Sequence, residues 1–207
     1  MVRLPEMIVF QYGQAEIAYL CGQDRRLGQA IERIGRIERP VIPDMFTALI
    51  SSIVHQQISN KAAATVWNRV VERFGPVLPE AIAATAVEDI QQCGMSLRKA
   101  GYIKSIAQAV VSKELILPEL NQLSDDEVIQ KLSGLPGVGV WTAEMLMIFS
   151  MQRPDIVSWH DLAIRRGIMN LYGLSELKRS QFDEYRKHYS PYGSVASLYL
   201  WQISKEG

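Results

Sequence analysis

Leu135-Pro136-Gly137-Val138-Gly139-Val140-Trp141-Thr142-Ala143 is the stretch on which the fold turns. It follows Ser124-Asp125-Asp126-Glu127, a capping box in which the serine and the glutamate stand three residues apart at a helix start. It precedes an apolar run, Trp141 to Met151. Two helices are therefore joined by a hairpin near 133–141 with glycines at alternate positions. Without a Cβ, Gly137 and Gly139 let the backbone come against a ligand. The helix that follows offers its first N–H groups to an anion such as a phosphate. Leu135 and Val138 are apolar and anchor the hairpin. Such a contact uses no side-chain charge and reads no base sequence. A tight turn between packed helices accounts for the same glycines.

Outward from the hairpin the pattern is helical nearly throughout. Phe46, Leu49, Ile50, Ile53 and Val54 recur at helical spacing, as do Ala63, Val66, Val70 and Phe74. Tyr102, Ile103, Ile106, Ala109 and Val110 mark a third stripe, and Leu146 and Phe149 a fourth. Breakers stand at Pro40 to Pro43, Gly75-Pro76, Gly94, Ser133 to Gly139, Pro154, Gly173 and Pro191. Counted between them, the chain reads as all-α with about ten short helices. Ser59 is expected to cap the helix carrying Lys61 to Phe74, and Ser175 the helix after Gly173.

Composition narrows the function classes. Hydrophobic residues are 48% of 207 and charged residues 21%, which excludes a disordered chain. Lys+Arg and Asp+Glu are 22 each, which excludes a polybasic tail but not a basic face. Two cysteines, Cys21 and Cys93, are too few for a disulfide framework or an all-cysteine metal site, and a reduced intracellular protein is expected. His55, His160 and His188 stand apart from any Cys/His cluster, so no zinc site is expected. The apolar run Met7-Ile8-Val9-Phe10 is too short for a signal peptide, and no stretch is long enough to span a membrane.

Asp161 opens an amphipathic helix about twenty residues beyond the hairpin, after Trp159 and His160. An N-cap carboxylate favoured by the helix dipole explains most aspartates so placed. The distance from the hairpin and the flanking aromatic residues point beyond a cap.

From the hairpin through Asp161 the chain resembles the helix-hairpin-helix DNA glycosylase superfamily. Ser51-Ser52-Ile53-Val54-His55-Gln56-Gln57-Ile58-Ser59 with Lys61-Ala62-Ala63 is similar to the family's first DNA-facing loop. Gly94-Met95-Ser96-Leu97-Arg98-Lys99-Ala100 is similar to its next turn. Ser197-Leu198-Tyr199-Leu200-Trp201 resembles the tail of the 3-methyladenine DNA glycosylase II branch. The motifs occur in family order and cover roughly residues 40 to 205. Trp141 stands where bifunctional members carry a lysine nucleophile, so a Schiff-base mechanism is not expected. The cysteines cannot supply the iron–sulfur cluster of other branches. About forty residues precede the first motif, too few for the β-rich domain of the larger bacterial enzymes; the short all-helical form is expected.

The resemblance implies two helical subdomains, 43–150 and 1–42 plus 155–207, with a DNA cleft between them. It implies hydrolysis of the N-glycosidic bond of alkylated purines in base-excision repair, with Asp161 as the catalytic carboxylate. Gln56, Gln57 and Ile58 fall in the loop that would fill the gap left by an everted base, with Gln57 as the wedge. Trp141, Trp201, Met145 and Leu162 fall in the base pocket; the last two replace tyrosines of the broad bacterial enzyme. Ser59, Lys61, Arg98, Lys99, Gly137, Val138 and Gly139 fall on the DNA-facing side, and Lys104, Arg165 and Arg166 add positive charge nearby. The expected partner is damaged double-stranded DNA, bound by a monomer, in the cytoplasm or nucleoid of a bacterium or the nucleus of a eukaryote. No cofactor is expected beyond a monovalent cation compatible with the hairpin carbonyls. The alternatives are a glycosylase for a deaminated or oxidised purine, and a non-catalytic helix-hairpin-helix DNA-binding module. The module leaves Asp161 and both tryptophans without a joint purpose.

Overall fold

Where the sequence predicts about ten helices, the computed structural model, which describes residues 8–206, has twelve α-helices and one 3₁₀ turn. Met7 of the short N-terminal apolar run lies outside the described residues. The helices are α1 Gln14–Gln23, α2 Arg25–Ile34, α3 Met45–His55, α4 Asn60–Phe74, α5 Pro79–Ala84, α6 Val87–Gln91 and α7 Leu97–Val111. The 3₁₀ turn Leu117–Gln122 precedes α8 Asp125–Ser133, α9 Val140–Phe149, α10 Leu162–Tyr172, α11 Arg179–Tyr189 and α12 Gly193–Ile203. α5 and α6 have only 6 and 5 residues. Helices that short show no full apolar period. Among the described residues the only extended pairing is an isolated antiparallel bridge, Val9 with Pro40.

The chain forms two compact units: residues 42–146, and the residues up to Val41 together with those from Met147 onward. In the 42–146 unit, Phe46, Leu49, Ile50, Ile53 and Val54 of α3 are buried with Val66 and Val70 of α4 and Ile103 and Ile106 of α7. α5 and α6 pack on α7. Asp44, Ser59 and Ser96 cap α3, α4 and α7 by accepting a backbone N–H three residues ahead. Ser124 and Glu127 form the full capping box of α8.

In the other unit α12 is the central element. Every residue from Gly193 to Leu200 is buried, so it lacks a polar face and its periodicity is weak. α10 lies directly against it because Gly167 has no side chain. A Cβ there would sit 2.2 Å from the Leu200 carbonyl oxygen. α10 ends at Gly173, in the left-handed conformation with φ 69° and ψ 39°. Ser175, expected to cap the next helix, does not do so. The chain runs irregularly after Gly173, and α11 starts at Arg179 with Lys178 as N-cap, its N–H held by the Gln181 side chain at 3.0 Å.

Candidate functional site

The hairpin's two glycines have different reasons to be glycine. Gly137 has φ +78°, and a Cβ there would lie 2.2 Å from the Tyr102 ring. Its absence of side chain is required by the protein's own packing. At Gly139 an added Cβ meets nothing within 4 Å. No packing of the chain demands glycine at that exposed position. Val138 between them is buried and pins the turn, and its N–H donates to the Leu135 carbonyl at 3.1 Å. α9 then begins, its first-turn bond running from Ala143 N–H to the Gly139 carbonyl at 3.0 Å. Trp141, in this first turn, is 43% exposed. Met145, one turn on, is half-buried.

The connection between α3 and α4 is tied to this hairpin. Gln56 ends α3 with φ −60° and ψ 133°, and its Nε2 donates to the Gly137 carbonyl at 2.8 Å. Gln57 follows with φ +55°, a region L-residues seldom adopt. Gln57, Ile58, Ser59 and Lys61 are exposed. Lys99, on the first turn of α7, donates its Nζ to the carbonyls of Val54 at 2.9 Å and Gln56 at 2.6 Å. Burial pushes its pKa below the ordinary lysine value. Arg98 beside it is exposed. A concavity of about 340 Å³ opens here, lined by Gln56, Gln57, Ile58, Arg98, Lys99 and Tyr102 among others. Residues from three separate sequence motifs thus meet in the 42–146 unit. Lys104 lies apart from them and donates to the Thr85 carbonyl.

Asp161 sits in the other unit at the N-cap of α10. It is only 7% exposed, and its Oδ1 accepts from Ala163 N–H at 2.8 Å and Ile164 N–H at 2.9 Å. The neighbouring Leu162 is 66% exposed, so the helix start reaches the surface although its carboxylate is sheltered. The segment leading to Asp161 is held by the first turns of α12. Ser194 Oγ accepts from Ile156 N–H at 3.0 Å and donates to the Arg153 carbonyl at 2.5 Å. Ser197 Oγ donates to the Ile156 carbonyl at 2.8 Å. The Asp155 carboxylate accepts from Ser190 Oγ at 2.6 Å and Gly193 N–H at 3.0 Å. A Cβ on Gly193 would approach Asp155 Oδ1 to 2.6 Å and Val157 Cγ2 to 2.8 Å, so a side chain there would have to displace the carboxylate that bonds this N–H. Sequence reasoning missed this scaffold. Its trace is the Gly193-Ser194 and Ser197 set at the start of an otherwise apolar helix.

Trp159 has a structural place. It meets Phe182 edge-on at 5.2 Å, with the guanidinium groups of Arg165 and Arg179 4.8 and 5.4 Å from its ring centroid. Arg165 is thereby engaged within the protein, whereas Arg166 is exposed. Trp201 is half-buried, stacked on Phe149 at 5.4 Å, with Arg39 5.9 Å from its ring. Among the described residues no group of three His, Cys, Asp or Glu side chains could hold a metal ion. No described helix is long and apolar enough to cross a membrane.

An all-helical chain with a glycine hairpin between two helices, and a sheltered aspartate capping the helix after them, is a helix-hairpin-helix protein. A family model described as "HhH-GPD superfamily base excision DNA repair protein" matches residues 50–191, and the chain belongs to that superfamily. It is 33% identical to DNA-3-methyladenine glycosylase 1 of Schizosaccharomyces pombe, over 97% of this chain and 91% of that protein. The crystal structure of a DNA-3-methyladenine glycosidase from Bacillus halodurans superposes with a TM-score of 0.84 at 38% identity, covering 96% of this chain and 93% of that one. The Schizosaccharomyces pombe 3-methyladenine DNA glycosylase, solved in complex with abasic DNA, gives 0.77 at 30% identity, covering 93% and 97%.

Proposed function

We propose that this chain is a monofunctional DNA glycosylase that releases alkylated purines, 3-methyladenine and related bases, from double-stranded DNA. The observation that carries the reading is Asp161, a carboxylate sheltered from water at a helix N-terminus beside a surface-exposed residue. Alkylation at N3 or N7 makes the purine cationic and a good leaving group. The sugar passes through an oxocarbenium-like state, as in glycoside hydrolysis generally. The Asp161 charge stabilises that state and orients or deprotonates the attacking water. Protonation of the departing base is less necessary because it already carries charge.

The target base leaves the duplex first, at a cost of a few kcal/mol. Gln57, exposed at the tip of the α3–α4 connection, fills the gap. The exposed Trp141 indole offers an aromatic face to the everted base, and a cationic purine gains about 0.5–2 kcal/mol there. Trp201 plays the weaker part, because Phe149 and Arg39 already lie against its ring. Gly139 lets a phosphate approach the start of α9, and Arg98 and Lys61 supply charge. The Leu135 carbonyl accepts from Val138 N–H and the Gly137 carbonyl from Gln56 Nε2, and a carbonyl oxygen has two lone pairs. These two carbonyls would hold a monovalent cation that meets a phosphate. The protein acts as a monomer wherever the cell keeps its chromosome.

Methylated duplex DNA incubated with the protein, with the released bases identified, tests the assignment. Release of 3-methyladenine supports it. DNA affinity without base release defines a non-catalytic module instead. Borohydride should trap no protein–DNA adduct, since Trp141 cannot form a Schiff base. Met145 and Leu162 remove two tyrosine faces from the pocket implied by the family resemblance, and bases that leave poorly need that help most. Hypoxanthine should therefore leave far more slowly than 3-methyladenine in single-turnover assays. Equal rates would sink the pocket argument and leave the glycosylase assignment standing.

A further inference from the structure

The end of α3, the start of α7 and the hairpin meet at one side chain. The last carbonyls of a helix have no partner inside it. At the end of α3, Lys99 Nζ supplies one to Val54 and one to Gln56. Lys99 is itself fixed at the α7 N-terminus, where its backbone N–H donates to Ser96 Oγ at 3.3 Å. The Gln56 carbonyl belongs to the peptide that enters Gln57, the residue held at φ +55°. A non-glycine residue persists in that region only where its surroundings over-determine it. Here two constraints act on the same residue: the Lys99 ammonium on the Gln56 carbonyl, and the Gln56 side chain on Gly137 of the hairpin. Tyr102, one turn beyond Lys99, fills the space beneath Gly137. Arg98, the adjacent cation, is exposed.

We infer that Lys99 is a positioning residue for base eversion: its ammonium holds the Gln56–Gln57 peptide in the conformation that keeps Gln57 poised, and it is not a phosphate contact. This rests on the reading of Gln57 as the wedge. A phosphate ligand gains most from a solvated ammonium at the surface. Lys99 is instead half-buried, with two of its three donors on backbone carbonyls. The lowered affinity of Lys99 for its proton agrees with that burial.

The two roles separate in solution. Removing one cation that pairs with a phosphate should reduce the slope of log binding constant against log salt by about 0.9. Full-length Lys99→Met, Lys99→Gln, Arg98→Met and Gln57→Ala proteins are compared on a methylated duplex carrying 2-aminopurine beside the lesion. Lys99→Met should keep the wild-type salt slope, lose the 2-aminopurine signal of eversion, and slow single-turnover excision at saturating enzyme by roughly tenfold or more. Lys99→Gln, equally uncharged but still a donor, should lose less. Arg98→Met should show the slope change that Lys99→Met does not. In a Gln57→Ala background, Lys99→Met should cost nothing further, because it acts through that residue.

A reduced slope in Lys99→Met or Lys99→Gln with excision intact at saturation overturns the assignment of Lys99 alone, as does a multiplicative loss with Gln57→Ala. Should Lys99→Met fail to fold, Lys99→Gln decides by the same slope and rate. Wild-type excision by Gln57→Ala overturns the wedge reading itself.

Discussion

Two connections in this molecule end at helix caps, and they are held in opposite ways. The segment 153–161, which delivers Asp161, is tied down from inside. Ser194 and Ser197 are fully buried and bond its backbone, and Asp155 reaches back to Ser190 and Gly193. The segment 56–59, which delivers Gln57, lies at the surface and is held by a few side chain–backbone bonds from Lys99 and Gln56. In the role proposed for Asp161, a carboxylate that opposes a developing positive charge acts through fixed position and shelter from water, and interior support suits it. In the role proposed for Gln57, a side chain that enters a duplex must be exposed before the event, and its support then comes from the edge.

The contrast breaks most sharply at Asp161. Asp161→Asn should slow single-turnover excision by at least about a hundredfold, because it removes the charge and keeps the shape. The amide oxygen still caps α10, so the melting temperature and the affinity for undamaged duplex should stay near wild type. A stability loss without a selective loss of activity would mean that Asp161 is a cap and nothing more.

The two hairpin glycines differ in the same way within one turn: Gly137 faces the interior and Gly139 the surface. Gly137→Ala places a methyl into the Tyr102 ring at positive φ and should destabilise the protein by about 2–4 kcal/mol in denaturant unfolding. Gly139→Ala meets no protein atom and should leave stability within about 0.5 kcal/mol. It should nonetheless weaken duplex binding measured by fluorescence anisotropy. Unchanged binding by Gly139→Ala would remove the hairpin from the DNA contact.

Ser194→Ala tests the interior support. It removes the hydroxyl that accepts from Ile156 N–H and donates to the Arg153 carbonyl, and should cost about 1–3 kcal/mol of stability by chemical denaturation. It should also slow excision at saturating enzyme although it touches no substrate. Full activity in a destabilised protein would show that the loop holds Asp161 without α12.

The smallest effect is expected at the α8 capping box, which belongs to neither connection. Ser124 N–H and Oγ donate to Glu127 at 2.8 and 2.7 Å and hold its carboxyl below the ordinary glutamate value. The stabilisation is full above the unfolded-state pKa of glutamate and is lost as pH falls through the depressed folded value. Glu127→Gln should therefore flatten the acid limb of a melting-temperature profile slightly and leave neutral pH nearly unchanged.

Much of this was legible in the chain because it is local. The capping box of α8 needs only residues 124–127, Ser59 needs only the N–H of Ala62, and the glycine spacing of the hairpin is contained in five residues. Ser175 was misread because a good cap residue does not start a helix by itself; the chain stays irregular from the left-handed Gly173 until Lys178. Trp159 flanks Asp161 in sequence, yet its surroundings are Phe182, Arg165 and Arg179. Lys99 reads as one surface cation among several until its carbonyl partners, 43 and 45 residues earlier, are seen.

The helical class, the starts of α4, α8, α9 and α10 and the family follow from the chain alone, because periodicity, caps and motif spacing act over a few residues. Packing in three dimensions sets why Gly137 and Gly139 differ, what holds the segment before Asp161, and that Lys99 closes the end of α3. Each of those rests on atoms 35 or more residues apart in sequence—Tyr102 against Gly137, Ser194 against Ile156, Lys99 against Gln56. Contacts that distant are set by packing, and no local pattern encodes which side chain will arrive.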